Sequence, residues 1–264
     1  MLEIRNISKT FNAGTINEKK ALRDLSLTLN DGDFVTVIGG NGAGKSTLLN
    51  AICGTWRVDC GQIIIDGKDV TSMPEHKRAA LLGRVFQDPM MGTAADMEIQ
   101  ENLALAKRRG KHRGLSWGIS KKERVEYKEL LATLGLGLED RMTSKVGLLS
   151  GGQRQAVTLL MASMNEPRLL LLDEHTAALD PKTADKVLEI TEDIVNKNHL
   201  TTLMITHNMR DAIAHGNRLI MMHEGRIVVD VSGDEKKNLT VEDLLELFSK
   251  ASGKEFASDR AMLS

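Results

Sequence analysis

Eight consecutive residues, Gly39-Gly40-Asn41-Gly42-Ala43-Gly44-Lys45-Ser46, constrain this chain more than any other stretch. They fit G-x-x-x-x-G-K-[ST], follow an apolar run ending at Ile38, and precede an apolar stretch that begins at Leu48. Glycines let successive backbone N–H groups turn inward onto phosphate oxygens. Lys45 reaches the β- and γ-phosphates as a point charge, and the Ser46 hydroxyl can ligate Mg²⁺. A helix starting here aims its positive end at the same anion. The alternative is a glycine-rich strand-to-helix turn with an exposed lysine. At average residue usage this pattern arises by chance in roughly one chain in a hundred of this length, and the strand–loop–helix context is a further requirement. The stretch is therefore read as a nucleoside triphosphate site.

A second feature stands far downstream. Leu169-Leu170-Leu171-Leu172 runs into Asp173-Glu174. Four leucines in a row predict a strand buried on both faces, which delivers its next residues to the carboxyl edge of a sheet, where open α/β folds bind ligands. Asp173 is placed to hold the shell of Mg²⁺, and Glu174 to polarise an attacking water. Alone, an Asp-Glu pair after apolar residues is better read as solvated residues at a strand end. The phosphate loop upstream favours the chemical reading.

Between and around these features the pattern alternates. Leu22 to Leu29 and Asp33 to Ile38 read as strands joined by turn chemistry at Asn30-Asp31-Gly32, a hairpin signal repeated where Gln62 to Ile65 meets Asp66-Gly67. Arg84 to Phe86 is a further strand candidate. From about Glu98 to Asn165 leucines, alanines and charges recur at helical spacing. Asp180-Pro181 is a helix start, with Ala184, Val187, Leu188, Ile194 and Val195 as its apolar face. Thr201 to Ile205 reads as a buried strand, Arg218 to Met222 pairs with Arg226 to Val231 across Glu224-Gly225, and Thr240 to Phe248 is an amphipathic helix. This order predicts an α/β fold: a mainly parallel sheet core, an N-terminal antiparallel β subdomain and an inserted helical subdomain.

Bulk properties exclude some classes. With 35 basic and 36 acidic residues, the net charge of −1 gives no whole-molecule field for nucleic acid or an acidic membrane. Cys53 and Cys60 suggest neither a disulfide framework nor a metal site. The opening MLEIRNISKT lacks a basic segment followed by an apolar one, so no signal peptide is expected. No apolar run approaches the ~20 residues that cross a bilayer.

Leu149-Ser150-Gly151-Gly152-Gln153 lies shortly before the leucine run. Ser150 and Gln153 have the spacing of a capping box, and two glycines there also leave backbone N–H groups bare for an anion. LSGGQ, with the phosphate loop upstream and LLLLDE downstream, resembles the nucleotide-binding subunits of ABC transporters over nearly the whole chain, to about Leu247. The resemblance implies a P-loop ATPase of ABC type. One ATPase domain would span residues 1–250, with the helical block at about 88–165 facing a membrane partner and a flexible tail at 251–264.

It also implies roles for individual residues. ATP and Mg²⁺ would bind at Gly39, Asn41, Gly42, Gly44, Lys45, Ser46 and Thr47, with Asp173 and Gln87 joining Ser46 around the metal. Glu174, His207 and Gln87 would be the catalytic residues, His207 as the switch histidine on the γ-phosphate. Ser150, Gly151, Gly152 and Gln153 would cap the ATP of a second subunit in a head-to-tail dimer, and Asp180 would communicate across it. Phe11 stands where the family stacks an aromatic residue, commonly tyrosine, on adenine. The partners implied are an integral membrane permease, a second copy or a paralogue, and an external substrate-binding protein, with no nucleic acid. The site of action would be cytoplasmic, peripheral on the inner face of the membrane.

The chain departs from the family pattern in three places. Asn12 to Lys20 is a polar stretch beside Phe11; Arg154 is followed by Gln155-Ala156-Val157-Thr158 instead of further arginines; and His175 replaces a common proline. Met90-Met91 has two readings, docking surface or core filler. The basic run Lys107 to Arg113, with Trp117 behind it, likewise reads as a solvated loop or as a contact for lipid head groups or an acidic partner loop. Two functions follow. One is the ATPase of a transporter, and the stretch Leu149 to Asp180 with Ile205 to Met209 is similar to amino-acid uptake ATPases of the tryptophan/tyrosine or branched-chain type. The other is a non-transport ABC ATPase acting on DNA or the ribosome. That class commonly carries two motif sets or a long coiled coil, and this chain has neither. A P-loop kinase or GTPase would have no use for LSGGQ.

Overall fold

Strand β7 (Leu169–Asp173) shows how the leucine run fixes the architecture in the computed structural model, which describes residues 1–111 and 118–252. Alternate side chains of a strand point to opposite faces. Leu169 and Leu171 enter one core, while Leu170 and Leu172 enter another, all four fully buried. Burial on this scale contributes on the order of 2 kcal/mol per leucine, so β7 is pinned from both sides.

The six-stranded sheet runs β10 (Arg226–Ser232), β9 (Arg218–His223), β3 (Phe34–Ile38), β8 (Thr202–Ile205), β7 and β6 (Leu82–Val85). Its neighbours are parallel except at β9–β10, which close as the predicted hairpin. A second, antiparallel sheet is ordered β2 (Lys19–Leu29), β1 (Leu2–Phe11), β4 (Cys60–Ile65) and β5 (Lys68–Asp69). Helix α1 (Lys45–Cys53) packs between the sheets, its Leu48, Leu49 and Ile52 sharing a core with Ile4, Leu22, Val35 and Leu171. Helices α3 (Ile99–Lys107), α4 (Lys121–Ala132), α5 (Gly151–Ser163) and α6 (Pro181–Lys197) share the core on the other face. Short α2 (Glu75–Arg78), α7 (Met209–Ala214) and α8 (Gly233–Lys237), with α9 (Val241–Ser252), complete the fold.

Two expectations about strands change. Asn30-Asp31-Gly32 does turn the chain, but β2 and β3 lie in different sheets, so the turn carries the chain between layers and closes no hairpin. The strand expected at Arg84 to Phe86 is Leu82–Val85, which leaves Phe86 and Gln87 beyond the sheet edge. Asp66-Gly67 closes a hairpin as expected, with Ile65 opposite Lys68. Between Pro89 and Ser163 the described elements are all helical. Of the two methionine readings, core filler fails, since Met90 is 43% and Met91 70% exposed.

In the basic run Lys107 pairs with Glu126, Arg108 donates to the Gly118 carbonyl at 2.8 Å and to Glu123 at 3.1 Å, and Arg109 reaches the Ala162 carbonyl at 3.5 Å. These three half-buried cations have partners within the chain and Lys107 closes α3, so neither the solvated-loop reading nor the lipid-contact reading describes them. Helix α9 runs to Ser252, two residues into the tail expected at 251–264; the rest of that tail, with His112, Arg113 and Trp117, lies outside the described residues.

Candidate active site at the sheet edge

The glycine-rich loop leaves β3 and enters α1 through Gly44, whose φ is 104° and whose missing Cβ would lie 2.6 Å from the Ala21 carbonyl oxygen. Only glycine fits both the left-handed backbone and that approach. Lys45 is 8% exposed, and its Nζ donates to the carbonyls of Gly39 at 2.6 Å and Gly40 at 3.3 Å. Two of its three N–H groups are so fixed, leaving one for the cleft. Burial pulls the Lys45 pKa down, opposed by the charges of Glu174 and then Asp173. A cleft of about 150 Å³ is lined by residues 41–47, Lys19, Ala21 and Glu174. Sequence reasoning missed Lys19, which nothing in its spacing marks out.

The carboxylates sit where β7 ends. Glu174 has φ 46°, a conformation rare for a side chain of its size, held by its N–H donating to the Ile205 carbonyl at 3.0 Å. The kink turns the chain off the sheet edge and leaves the Glu174 carboxylate in the phosphate-loop cleft. Glu174 also lines a second cleft with His207, whose Nδ1 is 3.8 Å from Glu174 Oε2. His207 is exposed, and the next residue, Asn208, caps α7 by accepting from the N–H groups of Arg210 and Asp211. Gln87 is exposed and lines a third cleft with Asp173 and Arg84. Arg84, a second residue that sequence reasoning missed, donates to Asp173 Oδ2 at 3.2 Å. Its signal was a charged residue inside a parallel strand, which must find a partner.

The oxygen donors fit Mg²⁺ held chiefly by a nucleotide. Ser46 is exposed at the start of α1, Asp173 is a half-buried carboxylate and Gln87 an exposed amide, all hard ligands. Among the described residues no group of three or more His, Cys, Asp or Glu side chains forms a cage for a metal. A small hard cation that keeps water and phosphate ligands needs only one or two protein oxygens.

Ser150 accepts from Gln153 N–H at 3.3 Å and Gln153 Oε1 accepts from Ser150 N–H at 3.2 Å, a reciprocal capping box at the start of α5. Gly152 is buried, and a Cβ there would lie 2.2 Å from Thr183 Cγ2, so a larger residue would have to displace the Thr183 side chain on α6. Ser150 and Gly151 are exposed. Residues 150–153 line none of the three clefts, and neither does Phe11, whose ring meets Trp56 edge-on at 4.9 Å. Asp180 caps α6 through the Thr183 N–H at 3.1 Å, and that contact lowers its pKa. Gln155 donates to the Phe86 carbonyl at 3.2 Å, tying α5 to the segment that carries Gln87.

His175, beside Glu174, is fully buried. Thr191 Oγ1 donates to the Val187 carbonyl at 2.8 Å, so it accepts from His175 at 3.0 Å and Nε2 carries the proton. Burial, and then the nearby His215, depress the His175 pKa to about 4. As pH falls from about 6.5 toward 4, the unfolded chain takes up a proton here that the folded chain refuses. Stability is therefore intact above pH 6.5 and declines below it, by up to about 3 kcal/mol from this group. His175→Gln keeps the hydrogen bond without the titration, and denaturant unfolding between pH 7 and 5 should show a shallower decline than in the parent. An unchanged slope would assign the acid sensitivity elsewhere.

A separate groove of about 460 Å³ opens beside β6, with Phe86, Met91, Leu105 and Met161 as apolar walls and Arg84, Arg109 and Glu75 as its polar ones.

A family model described as ABC transporter matches residues 22–177. The tyrosine transport ATP-binding protein of Clostridioides difficile is 47% identical over 251 residues, covering 95% of this chain and all of that protein. The spermidine/putrescine import ATP-binding protein PotA of Haemophilus influenzae is 33% identical over 235 residues, covering 89% of this chain and 59% of that protein. Among solved structures, the dimeric post-hydrolysis state of the ATP-binding cassette MJ0796 bound to ADP and Pi aligns with a TM-score of 0.73 at 28% identity, covering 88% of this chain and 98% of that one.

Proposed function

We propose a function from one premise: the chain belongs to the ABC transporter family. It is the ATP-hydrolysing subunit that energises a membrane transporter. Among the described residues no helix is long and apolar enough to cross a membrane; the membrane span is assigned to a permease partner. The observation that carries the catalytic reading is the position of Glu174, which lines both the phosphate-loop cleft and the cleft of His207.

ATP is seated with its phosphates on the N–H groups of the loop from Gly39 to Ser46 and of Thr47, where Lys45 and the positive end of α1 offset their charge. Ser46, Asp173 and Gln87 would hold Mg²⁺, which when bound would neutralise phosphate charge. The Glu174 carboxylate orients the attacking water and accepts its proton. The water oxygen bonds to the γ-phosphorus, the bond to the β–γ bridging oxygen breaks, and ADP and phosphate leave. His207 donates a hydrogen bond to the γ-phosphate as charge gathers there. Ser150, Gly151, Gly152 and Gln153 complete the site of a second subunit in a head-to-tail dimer. Their exposed helix start at Ser150 and Gly151 supports this. Asp180 carries the signal across, and Phe11 stacks on adenine.

One ATPase domain spans 1–250, and its helical block at 88–165 meets the permease. The apolar groove beside exposed Met91 supports docking there. The chain works at the cytoplasmic face of the membrane, and its cargo is an aromatic or similar amino acid imported with the help of an external binding protein. The 47% identity to a tyrosine transport ATP-binding protein over its full length supports the cargo. Purifying the tagged chain from its native cells in mild detergent tests the reading. A multi-spanning permease is expected to co-purify and to raise the ATPase rate on reconstitution. Recovery of ribosomal or DNA-repair proteins with no permease would overturn it in favour of a non-transport ATPase.

A further inference from the structure

Arg84 is a cation on β6, the edge strand of the parallel sheet, with its side chain only 16% exposed. Such a charge persists only where its hydrogen bonds are satisfied. Its guanidinium reaches two elements of the nucleotide site at once. Nη1 donates to Asn50 Oδ1 on α1 at 2.9 Å, and Nη2 donates to Asp173 Oδ2 at the end of β7 at 3.2 Å. The plane lies over the Phe86 ring, its central carbon 4.5 Å from the centroid. Nε is buried with no partner. Two of its five N–H groups are thus aimed at the nucleotide site, and the Phe86 ring packs beside them.

We propose that Arg84 is a positioning residue for the metal-holding carboxylate: it ties Asp173 to the phosphate-loop helix so that one carboxylate oxygen stays directed at the Mg²⁺ accompanying the nucleotide. The inference rests on the role of Asp173 given under Proposed function. Asp173 has two oxygens, and Arg84 engages Oδ2, which leaves Oδ1 for the metal's water shell. The fork spans strand and helix as one rigid unit, which a lysine cannot do. Loss of such an outer partner typically costs about 10–100-fold in metal affinity.

The test compares the affinity of a fluorescent ATP analogue in excess Mg²⁺ with its affinity in EDTA; the ratio reports metal binding without turnover. Arg84→Met is expected to lower that ratio about tenfold, with the EDTA affinity within about twofold of wild type. Arg84→Lys, which keeps the charge without the fork, is expected to fall between. Asn50→Ala removes only the helix anchor and should lower the ratio less than Arg84→Met, and it carries the test if Arg84→Met fails to fold. Equal losses with and without Mg²⁺, or an unchanged ratio in the variants that fold, would overturn the proposal. Asp173→Asn separates the two levels. If it leaves the ratio unchanged, the metal role of Asp173 fails; if it lowers the ratio and the Arg84 and Asn50 variants do not, only the positioning role fails.

Discussion

Glu174→Gln is expected to lower steady-state ATP hydrolysis by about a thousandfold while ATP affinity stays within about twofold of wild type. The two side chains are nearly the same shape, so the substitution removes a base and a charge and little else. The unusual backbone at Glu174 is held by a main-chain hydrogen bond to Ile205, which glutamine also makes. A thousandfold corresponds to about 4 kcal/mol of transition-state stabilisation, within reach of one positioned general base. ATP that binds without being cleaved also holds two subunits together, so light scattering should report a dimer with ATP that disperses with ADP. Phosphate release at the wild-type rate would remove Glu174 from the mechanism. Weak binding with normal turnover at saturation would mean the side chain serves the cleft only as a wall.

How far these roles could be read in advance depended on how local their causes are. The strand at Leu169–Leu172 was legible because both its faces are apolar, and the alternating cores of the fold are that pattern seen from either side. The start of α5 was legible because a capping box is a contact between neighbours three residues apart. Strand β1 was harder. Its pairing with β2 shifts register between Ile4 and Ile7, at Asn6 with φ 48°, so its buried residues Leu2, Ile4 and Ile7 break the two-residue period. Causes that lie across the fold left no trace in spacing. Gly152 reads as a residue for an anion, yet it also makes room for Thr183 on another helix. His175 reads as an unexplained replacement, and its partner Thr191 lies sixteen residues on. Arg84 and Asp173 stand 89 residues apart, and only the parallel pairing of β6 with β7 brings them to one edge.

Lys45→Ala should act on binding, where Glu174→Gln acts on turnover. Lys45 is the buried cation of the phosphate-loop cleft, already oriented by the carbonyls of Gly39 and Gly40. A charge-assisted hydrogen bond contributes about 1.5–3 kcal/mol, and in the proposed mechanism Lys45 meets two phosphate groups. The dissociation constant for ATP is therefore expected to rise at least about a hundredfold, or roughly 2.7 kcal/mol. The effect on the ligand-free protein is a different matter. Removing the ammonium leaves two carbonyls without a partner, but it also relieves the burial that depresses the Lys45 pKa. These changes oppose each other, so the melting temperature without nucleotide should move little. The rise in melting temperature on adding ATP, a direct reading of affinity through linkage, should disappear at ATP concentrations that stabilise the wild type. Retained ATP affinity with a lowered melting temperature would make Lys45 a structural clasp of the loop and transfer the phosphate charge to Lys19, the other lysine lining the cleft.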